Sequence, residues 1–307
     1  MKISFLTKED LNKNMDKFCN LSRACFTAKI NKEIVFHRYL ENPYKDFFMC
    51  VVECNEKFVA NYAVLPVKIC IGGEIVKAGL SVNLMTDPYF AGRGLFSELA
   101  NRVYERMIQE GYALSYVFPN KNSNSILCNK LGWKNVYEIP TLEKKLDENI
   151  ISVERVGKKL DIDNWSHLSD YADKDIHVIK EPCYLNWRYR NHPANEYHIL
   201  HFNERCWAVY HMYNDEVNIN EIHSTGNKEE FQSLLNEIIY IAYGMGAKKI
   251  TTWFKTNTIE HYVLEKNGFI NTSPIRYFSV KNLAYSGAVD IFDWRNWKIC
   301  MGDDNVY

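Results

Sequence analysis

Hydrophobic positions change their period several times along the chain. Blocks of dense or alternating apolar residues predict strands near 47–54, 57–66 and 79–86. Leu95, Leu99, Val103 and Met107 then fall at helical spacing and predict a helix over 93–110. A strand at 113–118, a helix at 123–131 and a strand at 134–139 follow, and mixed helical segments precede them over 8–40. The same succession returns later. Strands at 197–202, 206–213 and 216–223 lead to a helix at 228–244, a strand at 248–254, a helix at 257–266 and a strand at 275–280. Antiparallel strands with helices inserted after the middle ones are an α+β (mixed α/β) layout.

Short motifs repeat with the pattern. His37-Arg38-Tyr39-Leu40-Glu41-Asn42-Pro43 and Trp187-Arg188-Tyr189-Arg190-Asn191-His192-Pro193 share Arg-Tyr-x-x-x-Pro before a strand, 150 residues apart from Arg38 to Arg188. Lys130-Leu131-Gly132-Trp133 and Lys266-Asn267-Gly268-Phe269 form a second echo, 136 residues apart from Gly132 to Gly268. The fall from 150 to 136 places a loss of fourteen residues between the early strands and the long helix of the second copy. The first copy carries the hairpin Ile71-Gly72-Gly73-Glu74-Ile75 and the turn Gly92-Arg93-Gly94 in that interval, whereas the second passes from Ile222 through His223 and Gly226 straight into a helix. The expected division is 1–145, a mixed-charge linker at 146–164, and 165–307 with a Trp- and Asp-rich tail, each domain a mostly antiparallel sheet flanked by helices.

The glycine turn carries the clearest chemistry. A strand ending Leu84-Met85-Thr86, the turn Asp87-Pro88, then Ala91-Gly92-Arg93-Gly94-Leu95-Phe96 opening a helix brings backbone N–H groups close to an anion. A phosphate or pyrophosphate suits that place, and a plain structural turn is the alternative.

Composition narrows the partners. The 307 residues are 47% hydrophobic, enough for a large core. The net charge is -1, with 37 basic and 38 acidic residues, so nothing points to nucleic acid. No apolar run reaches membrane-spanning length, and Met1 to Phe5 soon meets Lys8, Glu9 and Asp10, so neither membrane insertion nor secretion is expected. Nine cysteines lie without Cys-x-x-Cys pairs or a histidine at zinc-ligand spacing. They are expected to be reduced thiols of a cytoplasmic protein with no metal site.

The ordered motifs resemble the GNAT N-acyltransferases, whose signature is a strand, an Asp/Pro turn, Arg/Gln-x-x-Gly-x-Gly/Ala, a helix, a second strand and a short helix ending in Gly-Phe. Residues 80–140 follow it well and 30–80 loosely, with Ala91 standing where Arg or Gln is usual and Phe96 where a small residue is usual. The second copy is similar to a degenerate GNAT fold, giving a tandem arrangement. The resemblance implies acetyl-CoA or another acyl-CoA as co-substrate. Leu84, Met85 and Thr86 would bond the pantetheine arm, the turn from Ala91 through Gly92, Arg93, Gly94, Leu95 and Phe96 would hold the pyrophosphate, and Asn122 or its neighbours Asn120 and Asn124 would meet the pantetheine end. Many relatives place an acidic tyrosine four residues before the Gly-Phe; here Cys128 stands at that distance from Gly132, and Leu264 from Gly268.

Catalytic candidates are therefore Cys128, as an acid or a buried thiol, and Asn83 on the strand before the turn, with Ser81 beside it. His37, Arg38, Trp187, Arg188 and Tyr189 are candidates for contacts with an acceptor on the side of the second domain, or equally helix packing capped by proline. Glu181, His192, His223, Asp303 and Asp304 are candidate bases. No Cys or Ser sits in a nucleophile motif, which favours direct attack over a covalent relay. The expected function is transfer of a short acyl group to a primary amine of a small molecule, with an amino sugar or its nucleotide as one acceptor class. An aminoacyl or long-chain acyltransferase and a non-catalytic acyl-CoA-binding protein are the rival classes.

Overall fold

The computed structural model describes residues 1–26, 30–44, 47–147, 161–162, 176–203, 205–224 and 226–304. The chain divides into two compact units: unit 1 comprises 1–137, 174–179 and 277–297, and unit 2 comprises 138–173, 180–276 and 298–307. The elements of the first half are β1 (Lys2–Phe5), α1 (Lys8–Lys13), α2 (Met15–Cys25), α3 (Lys32–Val35), a π-turn Phe36–Leu40, β2 (Phe48–Cys54), β3 (Lys57–Ile71), β4 (Glu74–Thr86), a 3₁₀ turn Pro88–Phe90, α4 (Leu95–Gln109), β5 (Leu114–Val117), α5 (Lys121–Lys130) and β6 (Lys134–Lys145). The second half adds β7 (Asp161–Ile162), β8 (His177–Val178), α6 (Pro182–Leu185), a π-turn Asn186–Arg190, β9 (Tyr197–Asn203), β10 (Cys206–Tyr213), β11 (Glu216–His223), α7 (Lys228–Gly244), β12 (Lys249–Trp253), α8 (Ile259–Lys266) and β13 (Ile270–Asn282).

The α+β layout expected from the periods is present, with three differences of extent. The early helical stretch is broken: Asn14 ends α1 and begins α2, because its side chain bonds the carbonyl of Asp10 instead of continuing the helix. β3 and β4 each run five residues past the expected ends, to a tight hairpin at Gly72 and Gly73, both at positive φ. Lys68 and Lys77 interrupt the apolar run there, yet they pair directly across the hairpin. The third difference lies in β6. The strand expected over 134–139 continues to Lys145; residues 148–160 and 163–175, which hold most of the expected linker and the expected start of the second copy, lie outside the described residues.

Within unit 1, β1 to β4 pair antiparallel in sequence order and β5 joins β4 in parallel. The strand beyond β5 is the end of β13, with Ser279 opposite Val117 and Asn282 opposite Leu114. Within unit 2, β9, β10 and β11 are antiparallel, β12 joins β11 in parallel, and the strand beyond β12 is the end of β6, with Thr141 opposite Trp253. Each unit is thus completed by a strand from the other half of the sequence, and the consecutive division at 145 and 165 is crossed twice. Periodicity shows that a segment is a strand but carries no information about its partner.

The cores follow from the helical periods. Leu99, Val103 and Met107 of α4 are buried against Phe48, Val52, Tyr62 and Trp133 in unit 1. Phe231, Leu234, Leu235, Ile238 and Ile239 of α7 pack on Leu200, Val217 and Ile219 in unit 2. Each such side chain contributes about 1.5–3 kcal/mol by leaving water. The opposite face of the unit 2 sheet carries a separate cluster of Leu185, Tyr189, Tyr197, Ile199, Trp207 and Val209. No helix among the described residues is long and apolar enough to cross a membrane.

Candidate active site

Two sheet features meet in unit 1. β4 pairs with β5 only through Ala78, Gly79 and Leu80, and then continues for six residues to Thr86 with β3 as its only strand partner among the described residues. Backbone groups on that open edge need partners other than a strand. The chain then turns through Pro88–Phe90, where Asp87 Oδ1 accepts from the Tyr89 amide at 2.9 Å. Gly92 and Gly94 both sit at φ +76, a left-handed conformation that glycine adopts without strain. Gly94 is the N-cap of α4 and no side chain caps that helix, so its first amides point outward with the positive end of the helix dipole. A Cβ built on either glycine would meet nothing within 4 Å, so the space beside the turn is open. Arg93 is folded back, its guanidinium 4.9 Å above the Phe90 ring and bonded to the Tyr89 carbonyl at 3.3 Å.

Leu84, Met85 and Thr86, the expected pantetheine strand, lie on the open edge of β4, and Ala91 to Phe96 form the turn itself. Met85 is buried, while Leu84 and Thr86 are half-buried. Asn122 is exposed on α5, whose first turn is capped by Asn120 through the Ser123 amide at 2.9 Å. Asn124 is committed elsewhere: its Oδ1 accepts from Cys128 Sγ at 3.4 Å and from Ser279 Oγ at 3.0 Å.

Asn83 occupies a bulge. Asn61 pairs with Met85 and Ala63 with Val82, so Asn83 and Leu84 together oppose the single residue Tyr62, and Asn83 takes φ +48. Its Oδ1 accepts from Arg38 Nη1 at 3.0 Å and from the Tyr39 hydroxyl at 2.7 Å, and its carbonyl accepts from Asn61 Nδ2 at 2.7 Å. Arg38 and Tyr39 come from the π-turn, an irregular helix whose extra residue often marks a functional segment. Burial pushes the Tyr39 hydroxyl pKa well up, so it stays a donor. His37 is buried and its Nδ1 lies 3.0 Å from Glu41 Oε2.

A string of buried hydroxyls under β4 was invisible in the apolar pattern. Tyr62 lies 2.7 Å from Tyr104 and 3.3 Å from Ser81, Ser81 lies 3.1 Å from Ser115, and Trp133 Nε1 donates to Tyr104 at 2.8 Å. Burial raises the Tyr62 hydroxyl to about 12. Tyr104 lies one turn after Ala100 on the buried face of α4, so the helical period gives it only a place in the core.

Unit 2 repeats the strand arrangement with different contents. β11 pairs with β12 from Glu216 to Ile219 and continues to His223, and a bulge at Asn220 interrupts its pairing with β10. The helix that follows is closed by its own sequence: Asn227 Oδ1 accepts from the amides of Glu229 and Glu230 at 2.9 and 3.3 Å. Tyr189 donates to Glu221 Oε1, and Lys180 bonds the same oxygen at 2.6 Å and also Asp303. Arg188 donates to the carbonyls of Gly302 at 3.3 Å and Asp304 at 2.7 Å, while Trp187 meets Tyr184 edge-on. The tail is therefore bound to the face opposite α7. A Cβ on Gly302 would collide with the Tyr189 hydroxyl and lie 2.6 Å from Glu221 Oε1.

Charges in this cluster are matched. Burial alone would raise the Glu221 carboxyl, but Lys180 and His223 hold it below the usual range. Burial pushes His223 down to about 4, against the pull of Glu221 at 3.4 Å, and its ring stacks on Trp207 at 3.9 Å. The ligand atoms of Glu221, His223 and Cys300 lie within 4.8 Å of one another, a donor set that suits zinc. Lys180 already neutralises Glu221, and burial drives the Cys300 thiol pKa far up, so the residues fit an internal ion pair better than a cation. Among the other expected bases, His192 Nδ1 accepts from the amides of Ala194 and Asn195 in a local turn.

An open strand edge running into an uncapped glycine turn, inside a mostly antiparallel sheet flanked by helices, defines unit 1 as an acyltransferase fold of the GNAT type. Residues 7–136 match the acetyltransferase (GNAT) domain family, which supports reading that segment as a GNAT acetyltransferase domain. Solved structures share the fold over 92% of the chain. A probable N-acyltransferase of Enterococcus faecalis has a TM-score of 0.68 at 14% identity, with 72% of its own chain covered. GCN5-related N-acetyltransferases of Kribbella flavida (TM-score 0.69, 14% identity, 71% covered) and Anabaena variabilis (TM-score 0.66, 12% identity, 73% covered) are similar to the same extent. No curated protein matches the chain in sequence.

Proposed function

We propose that unit 1 transfers an acyl group, most simply acetyl, from acyl-CoA to a primary amine of a small molecule by direct attack. The observation that carries this reading is one juxtaposition: the uncapped first turn of α4 follows directly on the open edge of β4. A diphosphate suits the amides from Gly92 to Phe96, and an amide-rich pantetheine arm can bond Leu84, Met85 and Thr86 as an added strand. Asn122, exposed at the start of α5, would meet the pantetheine end.

The neutral amine attacks the thioester carbonyl, and the oxygen gains negative charge that a backbone amide of β4 stabilises. Collapse expels the CoA thiolate, which takes a proton from water or from the attacking ammonium. Cys128 is a poor acid for this step, because its Sγ already donates to Asn124. The second unit, with the same strand order and bulge, is proposed as a degenerate copy of the first. Its capped helix leaves one donor site per chain.

Thiol release from acetyl-CoA, followed across a panel of amines that includes amino sugars and their nucleotides, tests the proposal. Turnover with a small amine is expected. Tight binding without turnover on any amine would make the chain an acyl-CoA-binding protein. A strong preference for long-chain or aminoacyl donors would favour the rival transferase class.

A further inference from the structure

The Arg-Tyr dipeptide is unexplained by packing alone, because both of its side chains converge on one oxygen. Arg38 Nη1 and the Tyr39 hydroxyl donate to Asn83 Oδ1, the side chain of the residue that takes the left-handed conformation in the β4 bulge. Asn61 holds the carbonyl of the same residue. Three donors therefore fix one residue of a strand that, among the described residues, has no strand partner on its other side here. Leu84, the second bulge residue, has no register partner on β3 either, so its direction is set by the bulge and not by the ladder.

The device recurs. In unit 2 the same dipeptide sits again on a π-turn: Tyr189 donates to Glu221 beside the β11 bulge, while Arg188 donates to the carbonyls of Gly302 and Asp304. The tyrosine thus reaches a strand beside a bulge in both units, through an amide in one and a carboxylate in the other, and in unit 1 the arginine donates to the same oxygen. The use of the grip differs, because only unit 1 follows its strand with an uncapped glycine turn.

Resting on the acyl-CoA reading above, we infer that Arg38 and Tyr39 are positioning residues: they lock the Asn83 bulge so that the backbone amide following it faces the thioester oxygen. Their side chains act through Asn83 and do not touch the reacting atoms. An alternative in which they merely stabilise the fold would leave the thioester environment unchanged when they are removed.

Isotope-edited infrared spectroscopy of the full chain with acetyl-CoA carrying carbon-13 at the thioester carbonyl separates these cases without needing the acceptor. In the wild type the bound carbonyl stretch is expected below that of free acetyl-CoA, as an amide donor polarises it. Tyr39→Phe keeps the ring packing on Phe18 and Phe47 and is expected to lose most of that shift while calorimetry shows acetyl-CoA still bound. Asn83→Gly, which tolerates the left-handed conformation but offers no acceptor, should do the same, and it serves if Tyr39→Phe does not fold. Tyr104→Phe removes a buried hydroxyl of unit 1 that bonds the side chains of Tyr62 and Trp133 and leaves the donors to Asn83 in place, and should keep the shift. An unchanged shift in Tyr39→Phe and Asn83→Gly, an equal loss in Tyr104→Phe, or bound acetyl-CoA with no shift in the wild type overturns the inference alone. Failure of the wild type to bind acetyl-CoA overturns the acyl-CoA reading beneath it.

Discussion

The helices α4 and α7 occupy the same place in their units, after a strand that parts from its parallel neighbour, and they begin in opposite ways. Gly94 starts α4 with no side-chain cap and open space around it. Asn227 starts α7 with its amide oxygen already on two backbone N–H groups. One helix end is left for an external acceptor and the other supplies its own. The strands show a parallel divergence. The bulge of β4 is gripped through the neutral side chain of Asn83, whereas β11 bears the buried charge of Glu221 beside its bulge, balanced by Lys180 and enclosed by the Gly302 to Asp304 tail. The same scaffold can expose a polar edge to a ligand or satisfy it internally, and a few side chains decide which.

This contrast is open to attack at several points. The largest effect is expected in unit 2, where Lys180→Met strips the counter-charge from buried Glu221 and Asp303; loss of about 3–5 kcal/mol of stability by denaturant titration is predicted. A soft response would mean that the internal closure of unit 2 is not what holds its tail. His223 sharpens the same point through pH. Its pKa falls from 6.5 to about 4 on folding, so the unfolded chain binds the extra proton between those values and stability rises with pH there. Stability is fully present above pH 6.5 and falls as the pH drops toward 4, by roughly 3 kcal/mol. The variant His223→Gln should flatten that slope in urea titrations repeated across the window.

Smaller effects are expected at the helix ends. Asn227→Ala should cost about 1 kcal/mol of stability, as for other lost caps, and leave acetyl-CoA binding untouched. The reverse, lost binding with no lost stability, would exchange the roles assigned to the two helices.

Most elements of both units were legible from period alone, because α4 and α7 are amphipathic, β2, β3 and β10 are apolar blocks and β11 opens on an alternation. Strand partners were not. β6 and β13 each end in the unit of the other half, and nothing in Lys134–Lys145 or Ile270–Asn282 specifies which edge they join. The glycine turn was legible because positive φ demands glycine at Gly92 and Gly94. The Arg-Tyr repeat was visible as a pattern, but its target was not, since Asn83 lies 44 residues from Tyr39 and becomes adjacent only through the bulge. Glu221 and Lys180 were missed for a similar reason: both sit in ordinary-looking strand and loop sequence, and their charges acquire meaning only when Asp303 is folded beside them.

That unit 1 alone holds acyl-CoA is tested most directly by the number and place of the sites. Calorimetric titration of the full chain with acetyl-CoA should give one site per chain, weakened roughly tenfold, about 1.4 kcal/mol, by Gly94→Ala, whose methyl enters the open cradle while straining its left-handed φ. Two sites, or one site indifferent to Gly94→Ala, would contradict it.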